Sequence, residues 1–370
     1  MKIREIREGE VKLLIPDPSE YSKEGRFDPS WAPVFYNPRM KFNRDVSVAF
    51  LKAVKPRSAI DGMSASGVRA LRYKIESGVE RVIANDKDPK AVELIRKNVE
   101  LNRVDVLVYN KDVNALLYEE RAEFVDIDPF GTPAPFLLSA LWSSVRYLGI
   151  TATDLTALEC SSASSARRKY DLTCFGRVSF SKEFGLRALI GRIVRDAAVL
   201  EKGVTPLLSF YKDYYYRVFV EVRRGSGKAN EALKNLGFYY ECPKCGLRIK
   251  SEEACRLFCP VCKVPMKGGG PIWLGSLGDQ EVITKISEYV YDERERKILE
   301  VLRAELIYND PYYNTDFLAS MNRTRPKKVA EMIECLGSAA RTHFDPKGFK
   351  TSKPPEKVKE CLGLGRTGSW

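Results

Sequence analysis

Residues 57–75 read RSAIDGMSASGVRALRYKI, and this stretch decides the fold. Residues 57–61 make a short strand-like segment around Ala59-Ile60. Residues 62–67 are small apart from Met63, and from 66 to 75 apolar side chains recur at helical spacing. A strand that enters a helix through small residues opens a doubly wound α/β sheet, whose ligands bind outside the carboxyl ends of the strands. Small side chains let the backbone approach a ligand, and Gly67 offers a conformation other residues resist. The loop lacks the G-x-G-x-x-G spacing that wraps a diphosphate, which weighs against a nicotinamide dehydrogenase.

Outward from this stretch, residues 81–85, 105–109, 123–127 and 148–151 read as further strands, with helical patterns over 90–101 and 134–145. Asp88-Pro89 suits a helix start, because Asp caps free N–H groups and Pro fits the first turn. Such alternation predicts a parallel sheet covered by helices on both faces. Residues 204–210 and 214–222 flank a Lys212-Asp213 turn, predicting an antiparallel hairpin at a sheet edge. That combination is the methyltransferase version of the doubly wound fold. Residues 224–230 read as a linker and 240–270 as a cysteine-rich segment. In the last hundred residues, helical patterns over 293–307, 316–321 and 327–336 precede a hairpin over 341–351, which suggests a winged-helix-like α+β module. The expected domains are a catalytic domain with an N-terminal extension (1–225), a linker with a cysteine ribbon (226–275) and an RNA-binding domain (276–370).

Three acidic residues follow successive strands: Asp61, Asp86 and Asp112. An acid at the second strand end can accept both ribose hydroxyl protons, and Asp112 can accept from an adenine amine, with Val113 against the ring. Any one of them reads equally as a helix cap; together with Ser64 and Gly67 they point to S-adenosylmethionine. The fourth strand ends in Asp128-Pro129-Phe130-Gly131. An exocyclic amine on an aromatic base is a poor nucleophile, because its lone pair is delocalised. Asp128 can accept a hydrogen bond from such an amine and offset its developing charge, the carbonyl near Pro129 can accept a second, and Phe130 offers a flat face. Asp126 competes for the role but lies within the strand. Asp310-Pro311-Tyr312-Tyr313 mimics the tetrapeptide outside the alternating region and reads as a turn.

Cys242-x2-Cys245 and Cys259-x2-Cys262 are each Cys-Pro-x-Cys turns, a set of four thiolates suited to structural tetrahedral zinc, with a disulfide pair as the competing reading. Cys255 is spare. Cys160, Cys174, Cys335 and Cys361 show no ligand spacing and are expected as buried thiols. One glutamine among 30% charged residues suggests a heat-adapted source, where cytosolic disulfides are less rare. His343, the single histidine, is expected to be structural or solvated.

The net charge of +12 favours a polyanionic partner without choosing among them. Residues 323–366 hold eleven Lys/Arg against five Asp/Glu, a tract that could grip RNA phosphates or be a solvated tail. No run of about 18 apolar residues exists, and the N-terminus lacks an apolar signal core, so a cytoplasmic protein without a membrane or protein partner is expected.

These residues also carry a resemblance. Residues 35–40 (FYNPRM), 43–45 (NRD), 64–73 (SASGVRALRY), 85–86 (ND), 126–131 (DIDPFG) and 151–154 (TATD) are similar to tRNA (guanine-26, N2,N2)-dimethyltransferases, most closely their archaeal members. Further matches are Arg168-Lys169-Tyr170, Glu183 with Arg187, and residues 216–220 (YRVFV). The resemblance implies transfer of one or two methyl groups to the guanine N2 amine of a tRNA. It implies that Arg44, Arg69, Asp86, Asp112 and Val113 line the cofactor and that Asp128 is catalytic, with Phe130 and Phe27 as walls for the base. Either arginine could pair with the methionine carboxylate of the cofactor. Residues 160–176 fit the family pattern less well. The competing readings are a DNA amino-methyltransferase and an inactive zinc-ribbon nucleic-acid-binding protein.

Overall fold

The computed structural model describes residues 2–23 and 26–363, with all of their side chains except those of Lys23, Arg26 and Phe27. The chain forms two compact units. The first comprises Met1–Thr151, Phe219–Arg223 and Thr284–Glu295; the second comprises Ala152–Val218, Arg224–Ile283 and Arg296–Trp370.

In the first unit, β1 (Ile3–Glu8) and β2 (Val11–Pro16) form an antiparallel hairpin, followed by the short ladder of β3 (Ser22–Lys23) and β4 (Arg26–Phe27). Then α1 (Lys41–Val54), β5 (Ser58–Asp61), α2 (Val68–Ile75), β6 (Arg81–Asn85), α3 (Pro89–Asn102), β7 (Leu107–Tyr109), α4 (Val113–Glu119), β8 (Ala122–Ile127), α5 (Leu137–Ser143) and β9 (Ser144–Ala152) alternate. Strands β7-β6-β5-β8-β9 pair in parallel. Ile60, Val82, Ile83, Phe124, Val125 and Ile127 are buried, as expected of strands covered on both faces. Phe50 of α1 stacks on Phe219 at 4.5 Å and lies 5.9 Å from Phe124, closing the core on one face. Asp88 caps α3 by accepting from Lys90 N at 2.9 Å, ahead of Pro89 in the first turn.

The N-terminal hairpin is held to α3 by two asparagines. Asn98 accepts from Leu14 N at 2.7 Å and donates to Leu14 O at 3.0 Å; Asn102 does the same for Lys12 at 3.0 and 2.7 Å. Four residues of helix rise about 6 Å and two of strand about 6.7 Å, so the two amides meet alternate residues of β2.

The second unit contains α6 (Leu155–Leu158), α7 (Ala163–Tyr170), β10 (Thr173–Cys174), α8 (Ser181–Val199), β11 (Lys202–Lys212), half of β12 (Tyr215–Arg224), α9 (Ser226–Leu233), β13 (Leu236–Glu241), β14 (Arg248–Ser251) and β15 (Lys267–Trp273). After α10 (Gln280–Glu288) come α11 (Glu293–Glu305), β16 (Tyr313–Asn314), α12 (Thr315–Met321), α13 (Val329–Leu336), β17 (Ala339–Arg341), β18 (Gly348–Thr351) and α14 (Pro355–Cys361). A two-residue turn makes β11 and β12 antiparallel, and the large sheet has the order β11-β12-β9-β8-β5-β6-β7. A four-stranded sheet runs β10-β15-β13-β14, and a three-stranded one runs β16-β18-β17. No helix among the described residues is long and apolar enough to cross a membrane.

Two expectations need correction. Residues 224–230, read as a linker, lie mostly within α9, which packs on β11 through the small buried side chains Ala229 and Ala232. Its Ser-Gly-Lys start hides that short apolar face. Nor are the four unassigned cysteines thiols: Cys160 bonds Cys174, and Cys335 bonds Cys361. Chain separations of 14 and 26 residues carry no ligand signature, and only the packing of α13 on α14, and the return of the chain to β10, bring each pair together. In chain-entropy terms each loop closure is worth about 3 kcal/mol. Replacing Cys335 and Cys361 together by serine should lower the unfolding free energy by about 2–4 kcal/mol in guanidinium without reductant. A variant that melts at the wild-type midpoint would show that this bond does not form.

Candidate active site

The carboxyl ends of β5, β6 and β8 converge in the first unit. Gly62 follows β5 and donates to Asp126 O at 3.0 Å. A side chain at Gly62 would sit 2.9 Å from Ile127 Cδ1 and 3.0 Å from Val113 Cγ2, so only glycine allows this approach. The loop then turns back on β6. Ser64 N donates to Asn85 O at 2.8 Å, and Ser64 Oγ donates to Asp61 O at 3.0 Å and accepts from Asn85 N at 3.2 Å. Asn85 joins two strand ends by donating to Gly62 O and to Lys111 O, each at 3.1 Å. Gly67 enters α2 at φ +79° and donates to Ser64 O at 2.7 Å. Asp86 accepts from Ala65 N and from Asp88 N, each at 2.9 Å. Asp112 caps α4, accepting from Asn114 N at 2.9 Å, and Val113 behind it is buried.

Asp61, Asp126 and Asp128 surround one cation. Asp61 lies opposite Asp126 in the β5–β8 register. Arg69, only 5% exposed, donates through Nη1 to Asn43 Oδ1 and Ser47 Oγ, each at 3.0 Å, and through Nη2 to Asp128. Asp126 lies 3.6 Å from Arg69 Nη1 and accepts from the Tyr73 hydroxyl. Asp126 is fully buried, whereas the Asp128 side chain is 21% exposed at the strand tip. Asp61 Oδ2 is buried without a hydrogen-bond partner. Burial, reinforced by the charge of Asp126 and opposed by that of Arg69, pushes the Asp61 carboxyl from 3.8 up to about 7.

Arg44 is held elsewhere. It forks onto Glu8, with Nε to Oε1 at 2.6 Å, and donates to Asn37 O at 3.1 Å. Burial alone would raise the Glu8 carboxyl, yet the hydrogen bonds and charge of Arg44 hold it at about 2. Both arginines expected at a methionine carboxylate are engaged by protein carboxylates, Arg44 by Glu8 and Arg69 by Asp128. Asn43, Ser47, Tyr73 and Asn85 were not singled out as site residues. Their signal was polar side chains on otherwise apolar helix faces and a strand end.

Phe130 follows Pro129 and is 72% exposed, with Phe35 meeting its ring edge-on at 4.7 Å. The Phe27 side chain lies outside the described residues. The decoy tetrapeptide runs from an exposed bend at Asp310 into β16: Tyr312 N donates to Glu183, and Arg248 caps the carbonyls of Pro311 and Tyr312 at 2.7 and 2.9 Å.

In the second unit, Cys242, Cys245, Cys259 and Cys262 bring their sulfurs within 4.8 Å of one another. The two turns repeat one design. Cys242 N donates to Leu247 O at 2.8 Å and Cys259 N to Val264 O at 2.9 Å, with Gly246 (φ +75°) and Lys263 (φ +57°) in equivalent places. Cys255 stays outside and donates its N–H to the Tyr240 hydroxyl. His343 is buried between Glu305 and Tyr211 N, a structural role.

A parallel sheet extended by a final hairpin, a small-residue loop after its first strand and carboxylates at successive strand tips define an S-adenosylmethionine-dependent methyltransferase of the doubly wound class. The family model of N2,N2-dimethylguanosine tRNA methyltransferases matches residues 9–363, and the chain belongs to that family. It is 49% identical over 374 residues to the tRNA (guanine(26)-N(2))-dimethyltransferase of Sulfurisphaera tokodaii, covering 98% of this chain and 100% of that one. The protein of the same name from Sulfolobus acidocaldarius is 50% identical, covering 98% of each chain. Trm1 from Pyrococcus horikoshii, solved with S-adenosyl-L-methionine, superposes with a TM-score of 0.85 at 33% identity, covering 97% of this chain and 99% of that one.

The raised Asp61 carboxyl makes a testable claim about stability. Below about pH 4 the folded and unfolded chains both hold this proton. From there to about 7 the folded chain holds it more tightly, so the contribution of Asp61 to stability falls as pH rises. Asp61→Asn should therefore gain stability over the ligand-free wild type between pH 4 and 7 and keep that gain above it, read from urea unfolding at several pH values. Parallel stability curves would contradict this.

Proposed function

We propose that this chain is a cytoplasmic tRNA (guanine(26)-N(2))-dimethyltransferase that transfers one or two methyl groups to the exocyclic N2 amine of a guanine in tRNA. The observation that carries this reading is the near-half identity, along the whole chain, with relatives of that name. No protein partner is called for.

The strand tips fit S-adenosylmethionine. Asp61 keeps a buried oxygen with no partner, and Gly62 keeps the loop tight against Val113 and Ile127. Asp61, Ser64, Gly67, Asp86, Asp112 and Val113 would hold the cofactor, which supplies a methyl group on a sulfonium already activated for transfer. Asp86 and Asp112 accept backbone N–H groups and still have lone pairs for further donors. Arg44 contributes indirectly, by fixing the 37–40 turn to the N-terminal hairpin.

Asp128 is the catalytic acceptor. It takes an N–H of the guanine amine, localises the nitrogen lone pair and receives the proton that leaves once the new N–C bond forms. The carbonyl at Pro129 accepts the second N–H, and Phe130 stacks on the base, with Phe27 as a further wall. Arg69 is a positioning residue that keeps the Asp128 carboxylate fixed at the strand tip. A paired or stacked guanine must be extruded to reach this tip, at a cost of a few kcal/mol.

The four cysteines fit zinc in a structural role. Ideal tetrahedral Zn–S bonds of about 2.3 Å place sulfurs about 3.8 Å apart, and Cys245 and Cys259 stand at 3.6 Å. An all-cysteine set leaves no open position for catalysis.

Asp128→Ala should reduce methyl incorporation into tRNA by about 10²–10⁴-fold with cofactor affinity nearly unchanged. Mass analysis of digested tRNA reads the first quantity and calorimetry the second; normal turnover would remove Asp128 from the mechanism. Stripping the metal with a chelator should lower the melting temperature and release close to one equivalent of zinc while cofactor affinity holds. Loss of cofactor binding before any change in melting would contradict the structural role.

A further inference from the structure

Between residues 293 and 351 the elements run α11, β16, α12, α13, β17, β18, with strand order β16-β18-β17. Two helices joined by a seven-residue turn and followed by a hairpin have the element order of a helix-turn-helix with a wing, with a longer turn than usual. In DNA-binding proteins built this way, the second helix of the pair enters a groove and its outer side chains meet the nucleic acid.

Here that helix has the wrong charge for the task. The exposed residues of α13 are Ala330, Glu331, Glu334 and Cys335. Two of these are acidic, and the last is bonded to Cys361 of α14. A face presenting two carboxylates and tied at one end to a neighbouring helix repels a phosphate backbone. The wing offers no better surface, because its Lys347 is paired with Asp316. Lys350 on β18 is buried and bound to Glu183 at 2.8 Å.

The turn between α12 and α13 has the opposite character. Residues 322–328 read Asn-Arg-Thr-Arg-Pro-Lys-Lys, with Arg323, Arg325 and Lys328 exposed and Lys327 half-buried. None of the four cations is in an ion pair among the described residues. Arg323 holds φ +52°, which glycine adopts at lower cost, so an arginine there points to a use for its charge. Between residues 329 and 363, Arg341 and Lys353 are in no ion pair among the described residues, and they stand singly.

We infer that the 323–328 turn, and not the outer face of α13, is the phosphate contact of this module, and that it takes the backbone of the tRNA. The inference rests on the tRNA substrate proposed above. It assigns the helix-turn-helix an inverted use, in which the turn docks on the backbone and the helix after it supports the turn.

The test is performed on the full-length chain. Arg323→Gln, Arg325→Gln, Lys327→Gln and Lys328→Gln are combined, and affinity for unmodified tRNA is measured between about 50 and 300 mM salt. Each phosphate contact contributes about 0.7–0.9 to the slope of log affinity against log salt. The combined variant should show a slope shallower by about two to three and at least a tenfold weaker affinity near physiological salt. Its melting temperature and cofactor affinity should match the wild type, and Arg325→Gln with Lys328→Gln alone should lose about half as much slope. Glu331→Gln with Glu334→Gln should leave tRNA affinity equal or slightly tighter. An unchanged slope in the combined variant, or a loss of affinity in the glutamate variant, would overturn the inference while the wild type still binds and methylates tRNA. A wild-type chain that bound no tRNA at any salt would overturn the proposed substrate, and this inference with it.

Discussion

One guanidinium holds the reacting end of the sheet together. The parallel register sets Asp61 beside Asp126, and Asp128 follows just past the end of β8, so three carboxylates gather at neighbouring tips. Arg69 is the cation set among them, with Asn43 and Ser47 taking its remaining N–H groups and Tyr73 shielding Asp126. A lone carboxylate buried beside others would be too costly to leave ionised. The arrangement shares one positive charge and lets Asp61 keep its proton until about neutral pH. What remains is a surplus of acceptors over donors, with one buried oxygen unmet. Such a site favours a cation over a neutral or anionic guest, and it needs no moving part to do so.

The same interaction shows what a sequence can and cannot disclose. Strands β5, β6 and β8 were legible because their apolar runs report local burial, and their ends at Asp61, Asn85 and Ile127 fall where small, polar or Pro-Gly residues interrupt them. The order of acidic tips followed from the alternation alone. Partners across the fold were not legible. Arg69 and Asp128 are 59 residues apart, Arg44 and Glu8 are 36, and no spacing rule connects them. An arginine in an apolar helix does not announce its partner, and here Arg44 meets Glu8 and Arg69 meets Asp128. The cysteines divide the same way. The Cys-Pro-x-Cys turns declare themselves locally, whereas Cys335 and Cys361 meet only because α13 packs on α14. Helix α8 went unread because it is buried nearly all round, with Glu183, Arg187 and Asp196 among its buried side chains, which blurs the amphipathic period that marks a surface helix.

Net charge was the coarsest clue, and the structure changes how it is understood. The excess of twelve positive charges named a class of partner but not a surface. Many of the arginines are not available to a polyanion at all: Arg44, Arg69, Arg72, Arg187 and Arg248 are buried or nearly so and paired with Glu8, Asp128, Glu76, Glu183 and Glu241. These groups cannot be drawn out without stranding their carboxylates, a loss of about 3–5 kcal/mol for each broken buried pair. Electrostatic attraction for RNA must therefore come from exposed cations without acidic neighbours, such as those of the 323–328 turn. A basic protein thus separates its positive charges into two populations, one spent inside to hold carboxylates in place and one outside to meet phosphates. The chemistry at Asp128 depends on the first, and the grip on a folded RNA depends on the second.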